Sequence, residues 1–348
     1  MEVEFGSWSV LTTNFLVLMY IALGGVTLAS VLHLCNGQWR FQVRYLSCSF
    51  YVLYPIAGIV LLILLANGDA TFQWLGHGHG HDEEHHLNGW HNYSFLVLRQ
   101  IFAYVVVGVL FSMFIKYQHL TDIDKSEAVR WRFRNIALLV PFAYFLYGTL
   151  LAWDFEMTMV PGWHSASYGA YQFQSGFHMF LAFFTLFLFF TNRSGKLTKP
   201  FESYIFNFMA QFMLAMTILW TYLYFTQYLI MWYGRLPTDM ARYDSMMLEG
   251  FGLLWWTFLA LKFIIPFTTL AITPNRHNPV IITMVAGSIL LGSWIERYTW
   301  IAGSGDSEHY IMPLSTLFGI TVTIVLIAVS WIAVKKTLIK YGLLQTES

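Results

Sequence analysis

Residues 201–237 read FESYIFNFMAQFMLAMTILWTYLYFTQYLIMWYGRLP, an apolar stretch longer than the ~20 residues that a helix needs to cross a bilayer. Polar side chains recur in it at near-helical spacing: Asn207, Gln211, Tyr222, Thr226 and Tyr233. A helix would carry them along one stripe. Because polar groups in lipid are costly unless they face other helices or a water-lined path, we predict a spanning helix with a functional stripe.

The overall composition extends this prediction to the whole chain. Hydrophobic residues make up 57% of the 348 and charged residues 11%, whereas a soluble domain carries about a quarter charged residues. The net charge of zero argues against nucleic acid as a partner. Cys35 and Cys48 form neither a CxxC pair nor a haem-attachment or iron–sulphur ligand set. Acidic residues near the start argue against a cleaved signal peptide.

Nine apolar runs are long enough to span a membrane, so we predict an all-α integral membrane protein of one polytopic domain. The predicted spans are residues 12–34, 45–66, 94–116, 134–152, 169–192, 204–233, 249–273, 279–300 and 312–334.

The distribution of Lys and Arg predicts the orientation of these spans. Fourteen of the 19 basic residues lie in the connections that follow the odd-numbered spans: Arg40, Arg44, Lys116, Lys125, Arg130, Arg132, Arg134, Arg193, Lys196, Lys199, Arg276, Lys335, Lys336 and Lys340. Only Arg235, Arg242 and Arg297 belong to the other side. Since cytoplasmic loops carry the excess of basic residues, the N-terminus is predicted outside and the C-terminus in the cytoplasm.

A histidine-rich segment lies in the predicted outer loop, residues 67–92. Its candidate metal ligands are His77, His79, His81, His85 and His86. Such a tract could chelate a divalent ion such as zinc, or it could be a flexible polar loop that binds metal only incidentally. The tract lacks the fixed spacing of a structural zinc site, so the second interpretation is favoured.

The connection after the fourth span places three titratable residues, Asp154, Glu156 and His164, at the outer mouth of the membrane. One interpretation is interfacial capping, with acids at a helix end and tryptophans in the headgroup belt. The other is a mouth that handles protons or substrate.

Two ionisable residues lie deep within predicted spans. His178 is roughly 13 Å in from Gly169 at the helical rise, and it suits either proton transfer or a hydrogen-bonded strut. Lys262 lies near the middle of its span, where an ammonium is costly unless it is paired, hydrated or neutral. Pro266 frees the carbonyl of Lys262 and favours a kink or a water pocket there.

Together these polar groups suggest a ladder of proton-carrying stations from one side of the membrane to the other. The candidates are Lys262, His178, Asp154, Glu156, His164, Glu296, Asn207, Gln211 and Tyr222. Arg99, near the outer end of span three, is expected to snorkel or to pair with an outer acid.

Four stretches resemble the NrfD-like, polysulphide-reductase-type superfamily, and within it the ActF-type membrane subunit of alternative complex III. They are FTQYLIMWYGRLP (225–237), HLCNGQWRFQVRYL (33–46), NYSFLVLRQIFAYVVVG (92–108) and WDFEMTMVPGWHSASYGAYQFQSG (153–176). Arg99 and Asp154 stand at the family's arginine and aspartate. The similarity covers nearly the whole chain.

The chain departs from the family pattern at three outer positions. Val160 replaces a glutamate before the proline, Glu156 is an acid where the family is usually apolar, and Asp239 is the acid nearest to the altered RLPTD motif. If the glutamate serves proton exit in the family, Glu156 or His164 is the expected substitute here. The PGWHS sequence is closer to the sister ActC-type subunit, which binds quinol.

The resemblance implies two four-helix bundles plus an extra helix in a complex of the bacterial inner membrane. Such a respiratory or photosynthetic complex oxidises quinol and passes electrons through an iron–sulphur subunit and multihaem cytochrome c subunits to an acceptor or a terminal oxidase. The implied partners also include a sister NrfD-like subunit. This chain would carry no covalently bound redox centre and no catalytic residue of its own, and quinone is its candidate ligand. The candidate quinone or subunit-interface residues are Gln227, Trp232, Tyr233 and Arg99.

Two other functions fit the residues. A stand-alone secondary transporter would use buried Lys262 and the broken segment at Pro161–Gly162 as its substrate site. A haem-b protein or an oxidase core would need facing histidines in the membrane, and only His33 and His178 approach the interior.

Overall fold

The computed structural model describes residues 5–76, 89–195, 197–248, 250–303 and 317–344. Over these ranges the secondary structure is helical, apart from one isolated β-bridge between Leu197 and Leu344. The helices are α1 (Phe5–Leu34), α2 (Arg40–Ser49), α3 (Leu53–Ala66), α4 (Gly68–Thr71), α5 (Gln73–Gly76), α6 (Tyr93–Ile123), α7 (Glu127–Phe155), α8 (Tyr168–Arg193), α9 (Ser203–Tyr233), α10 (Pro237–Leu248), α11 (Gly252–Leu259), α12 (Ile265–Ala271), α13 (Pro279–Ala302) and α14 (Leu317–Lys340).

Nine segments within the described ranges are long and apolar enough to cross a membrane, so the predicted all-α membrane fold is confirmed. Several helices extend beyond the predicted spans. The last spanning segment, for example, runs over Thr321–Lys340, farther along the chain than residues 312–334. The lysines at its end can remain helical because their long side chains carry the charge toward water.

The helices pack as two bundles of four spans and one additional helix. The first bundle contains α1, the α2–α3 segment, α6 and α7, and the second contains α8, α9, the α11–α12 segment and α13. The bundles meet where α8 packs against α1 and α7, and where α13 packs against α1. Helix α14 lies against α1 and the α2–α3 segment. This arrangement matches the one that the family resemblance implies.

The basic residues on the two faces of the molecule have different surroundings. On the basic face, Arg44 donates two hydrogen bonds to the carboxylate of Asp122, at 2.8 and 2.9 Å. On the opposite face, Arg242 and Arg297 are buried within the protein rather than lying in a loop. Among the three basic residues assigned to the outside, Arg235 is therefore the one exposed to solvent or headgroups.

Close approach between the bundles depends on small residues in α1. A Cβ atom placed on Gly24 would lie 2.4 Å from Cγ of the Phe180 side chain on α8. Phe180 is completely buried and cannot move into free space. Glycine at this position therefore sets the spacing between α1 and α8.

We expect Gly24→Ala to lower the free energy of unfolding by about 1–3 kcal/mol, because the added methyl overpacks the junction. Gly287→Ala is the matched control, since a Cβ on Gly287 meets no atom within 4 Å. It should be neutral or stabilise by up to about 1 kcal/mol through helix propensity. Thermal unfolding of both variants in detergent measures the difference, and equal midpoints would contradict the packing argument.

Candidate functional site

Lys262 lies at the centre of the second bundle, in a π-helical turn, Ala260–Ile264, between α11 and α12. Pro266 has no N–H to donate to the carbonyl of Lys262, which favours this local widening of the helix. The side chain is fully buried. Its ammonium donates to the Glu296 carboxylate and, at 2.7 Å, to Ser175 Oγ. It also lies 4.7 Å from the centroid of the Trp220 ring.

Glu296 receives hydrogen bonds from all the other spans of this bundle. Its carboxylate accepts from Lys262, from Tyr171 OH, from Ser175 Oγ at 2.8 Å and from Trp220 Nε1 at 2.8 Å. Four donors, one of them cationic, satisfy both oxygens of a buried carboxylate. The site is therefore built to hold Glu296 as an anion or to share its proton with the neighbouring groups.

A second buried ion pair, between Arg297 and Glu156, adjoins the first. Arg297 Nη1 lies 2.7 Å from Glu156 Oε1, and Tyr168 OH donates to Glu156 Oε2 at 3.0 Å. The guanidinium also lies 4.3 Å from the ring centroid of Tyr20 on α1. Since Glu156 follows α7, this pair joins the first bundle to the second.

We call Lys262, Glu296, Arg297 and Glu156 the buried charge cluster. All four side chains are completely inaccessible, and their two positive and two negative charges balance. Neutrality and hydrogen bonding help charges to tolerate removal from water, and among the polar side-chain atoms of these four residues Arg297 Nε has no partner within the described part of the chain. Glu296 is six residues from the end of α13, about 9 Å at the helical rise, so the cluster lies in the half of the spans that the sequence predicts to be the outer one.

Arg242, on the outer helix α10, lies beside this cluster. Its Nη atoms donate to the carbonyl oxygens of Glu156, Met157 and Trp300 at 2.8–3.1 Å. The guanidinium packs over the rings of Trp163 and Trp300, 4.5 and 5.0 Å from their centroids. Burial lowers the pKa of Arg242 to about 10, which leaves it protonated at neutral pH. Arg242 thus fixes the chain that follows α7 over the buried charge cluster.

The first bundle contains a separate ion pair between Asp154 and Arg99. Arg99 donates from Nε at 2.9 Å and from Nη2 at 2.6 Å, in a two-pronged geometry. Gln100 Nε2 and Trp90 Nε1 complete the shell at 2.6 and 3.0 Å. Of the two expectations for Arg99, the structure shows pairing with an outer acid, and the guanidinium is buried rather than snorkelling.

The remaining candidates on α8 and its preceding loop have different surroundings. His178 is buried, and its Nε2 lies 3.2 Å from Thr217 Oγ1 on α9. Its Nδ1 has no hydrogen-bond partner among the described residues. His164 is exposed, and its Nδ1 lies 3.2 Å from the carbonyl oxygen of Gly162. The structure therefore places His178 deeper than the cluster and His164 outside it.

The polar stripe of α9 does not face the cluster. Gln211 is exposed and donates to Asn207 at 3.3 Å, and Tyr222 is 63% exposed. The face of α9 that packs inward is apolar at its inner end, where Phe206, Met209 and Met213 are buried. The predicted ladder is thus divided. Lys262, Glu296 and Glu156 meet in the cluster, whereas Asp154 and His164 lie apart from it. The stations on α9 lie toward the protein surface.

Three of the candidate quinone or subunit-interface residues lie at the outer end of α9, one of them buried and two exposed. Gln227 is buried, and its Oε1 accepts from Ser165 Oγ at 2.9 Å and from Ser167 Oγ at 3.3 Å. Trp232 and Tyr233 are 58% and 81% exposed.

The histidines proposed as metal ligands lie outside the described residues. Within the described residues, no group of three His, Cys, Asp or Glu side chains could hold a metal ion.

Sequence reasoning missed most of the residues that surround the charges. The hydrogen bonds to Glu296 and Glu156 that the sequence did not predict come from Tyr171, Ser175, Trp220, Arg242 and Arg297. Tyr171 and Ser175 are four residues apart and therefore share one face of α8, a spacing that could have marked them. Glu296 and Arg297 are neighbours in the chain, yet they do not pair with each other: Glu296 pairs with Lys262 and Arg297 with Glu156.

Comparison with known proteins finds no family model and no curated protein that matches this chain. Its fold and site define a multi-pass, all-α membrane protein with a neutral, fully buried set of charges.

Proposed function

We propose that this chain is an integral membrane subunit of a quinol-oxidising electron-transfer complex of the alternative complex III type. The observation that carries the proposal is the buried charge cluster, which joins four spans of the second bundle to the end of α7. Charged side chains in a membrane are expensive, and function is the usual reason for them. The sequence resemblance supports the choice of complex.

Within this proposal the cluster exchanges protons with the outer side of the membrane. The ammonium of Lys262 touches the carboxylate of Glu296, and Ser175 contacts both groups at 2.7 and 2.8 Å. A proton can pass between Lys262 and Glu296 without changing the net charge of the site, which limits the cost of the transfer in a medium of low dielectric. Arg297, whose guanidinium stays charged, would orient the Glu156 carboxyl group beside this pair.

The redox groups belong to partners in this proposal. Haem c and iron–sulphur clusters would lie in a multihaem cytochrome and an iron–sulphur subunit, and a sister NrfD-like subunit would bind quinol, with a terminal oxidase as a further partner. The exposed aromatic residues Trp232 and Tyr233, at the outer end of α9, suit a subunit interface. Gln227 is buried on the same helix, and Arg99 is buried on α6 against Asp154, so neither side chain would contact a partner subunit directly. The bacterial inner membrane is the proposed location.

Purification of the chain from its native membrane tests this proposal. A complex with multihaem and iron–sulphur subunits, detected by its absorption spectrum and by quinol:cytochrome c oxidoreductase activity, is the expected result. A monodisperse single chain without either partner would overturn it. That outcome would favour the second candidate function, a secondary transporter, for which the π turn around Lys262 would be the interrupted helix that forms a substrate site.

A further inference from the structure

Helix α14 is joined to the rest of the protein at its two ends. Toward the outside, Asn14 Nδ2 donates to Thr323 Oγ1 at 2.7 Å, and Trp294 Nε1 donates to Asn14 Oδ1 at 3.0 Å. Toward the cytoplasm, the backbone N–H of Thr198 donates to the carbonyl oxygen of Leu343 at 3.1 Å. Between these attachments most of the helix is exposed, and Val334 and Leu338 are its large buried side chains.

A cavity of about 490 Å³ separates the middle of α14 from the two bundles. Its walls are almost entirely apolar and include Leu18, Phe50, Met179 and Leu326. A second cavity, of about 440 Å³, continues it toward the cytoplasm. The two share five lining residues: Phe183, Phe187, Leu290, Trp331 and Val334. They form one apolar groove beneath α14, and we call it the α14 groove.

The two ends of the α14 groove differ in polarity. The side chains of Asn14, Trp294 and Thr323 close the outer end by bonding to each other. Lys335 lines the cytoplasmic end, is exposed, and has no carboxylate partner among the described residues. From Thr323 to Lys335 the helix rises about 18 Å, close to the ~15 Å depth of one leaflet of the hydrocarbon core.

We propose that the α14 groove binds one anionic phospholipid of the cytoplasmic leaflet. An acyl chain lies between α14 and the bundles, and the phosphate pairs with Lys335. Ser330 supports this orientation, because its Oγ is buried, lines the groove and has no hydrogen-bond partner among the described residues. It lies five residues, or about 7.5 Å, deeper than Lys335, where it can donate to an ester carbonyl of the lipid.

Two features favour a lipid over a quinone headgroup in this groove. The polar side chains at the closed outer end already use each other as partners, so a quinone ring there would find no free donor pair. The unpaired cation instead lies at the cytoplasmic end, where anionic headgroups are concentrated and attract basic side chains.

Photo-crosslinking of the full chain, with any subunits that accompany it, tests this assignment. The protein is placed in phosphatidylcholine vesicles that contain a small fraction of phosphatidylglycerol with a photoreactive group on its acyl chain. We expect the label on peptides of α14 between Thr323 and Val334, and on α8 around Phe183. Lys335→Ala should lower labelling by phosphatidylglycerol about fivefold, the effect of one basic residue at a membrane surface.

Two further variants make the result decisive. Lys336→Ala removes the neighbouring charge, which lines neither cavity, and should label like the wild type. Gly287→Leu adds a side chain in open space on the cavity wall and should abolish labelling by excluding the acyl chain. Equal labelling of the Lys335 and Lys336 variants would overturn the headgroup assignment. Unchanged labelling of Gly287→Leu, or displacement of the label by ubiquinone or menaquinone, would overturn the lipid site itself.

Discussion

Replacing Lys262 by methionine should lower the free energy of unfolding by roughly 3–5 kcal/mol, because it leaves the Glu296 carboxylate buried without its cation. Methionine has a similar length and flexibility, so the lost charge rather than a cavity causes the effect. Thermal or denaturant unfolding in detergent measures it. The matched control is Lys116→Met, the same chemical change at an exposed position of α6, which should stay within about 0.5 kcal/mol of the wild type.

The double variant Lys262→Met with Glu296→Gln separates structure from function. It removes both charges of the pair, so most of the lost stability should return. Within the proposed function, proton release during quinol oxidation should remain impaired, because neither remaining side chain can carry a proton. The measurement is the pH change outside proteoliposomes that contain the assembled complex. A double variant that is stable and releases protons normally would refute a proton-handling role for the buried charge cluster.

Replacing Asp154 by alanine is expected to have an effect of similar size in the first bundle. The change leaves the buried guanidinium of Arg99 without its anion and takes an acceptor from Gln100 and Trp90. A cost of about 3–5 kcal/mol is typical when one partner of a buried ion pair is removed. The expected consequence is a strong loss of folded protein in the membrane.

Asp122→Ala provides the control for Asp154, since it removes a carboxylate from an ion pair with arginine at the surface. The side chains of Arg44 and Asp122 are 16% and 37% exposed, so water can replace the lost partner. This variant should lose no more than about 1 kcal/mol. Similar unfolding midpoints for the two alanine variants would contradict the stabilising role of the Asp154–Arg99 pair.

Several features of the site could be predicted from single residues. Lys262 stands out because a lysine in the middle of an apolar span requires a partner, and the structure supplies Glu296. Asp154 and Arg99 each lie near the outer end of a span and proved to be one ion pair. In these cases the cost of an isolated charge in lipid predicts that a partner exists.

The polar stripe of α9 shows that the buried side of a membrane helix could not be predicted in this way. Asn207, Gln211 and Tyr222 occur at helical spacing, which correctly puts them on one side of the helix, yet that side is exposed. In a membrane the apolar side chains of a helix can face either lipid or protein, so hydrophobicity alone does not orient it. Neighbouring helices determine which side becomes buried, and here Trp220, Tyr224 and Gln227 face inward instead.

The sequence by itself determined that the chain is a helical membrane protein, with nine spans in the part that the structure describes. It also determined which ends of the spans are flanked by basic residues and which charges need partners. These properties depend on length, apolar content and the cost of placing charge in lipid, all of which are local. Only the tertiary structure decided that Glu296 pairs with Lys262 while its neighbour Arg297 pairs with Glu156. Successive residues of a helix point about 100° apart, so adjacent side chains reach different helices, and the packing of the two bundles selects their partners.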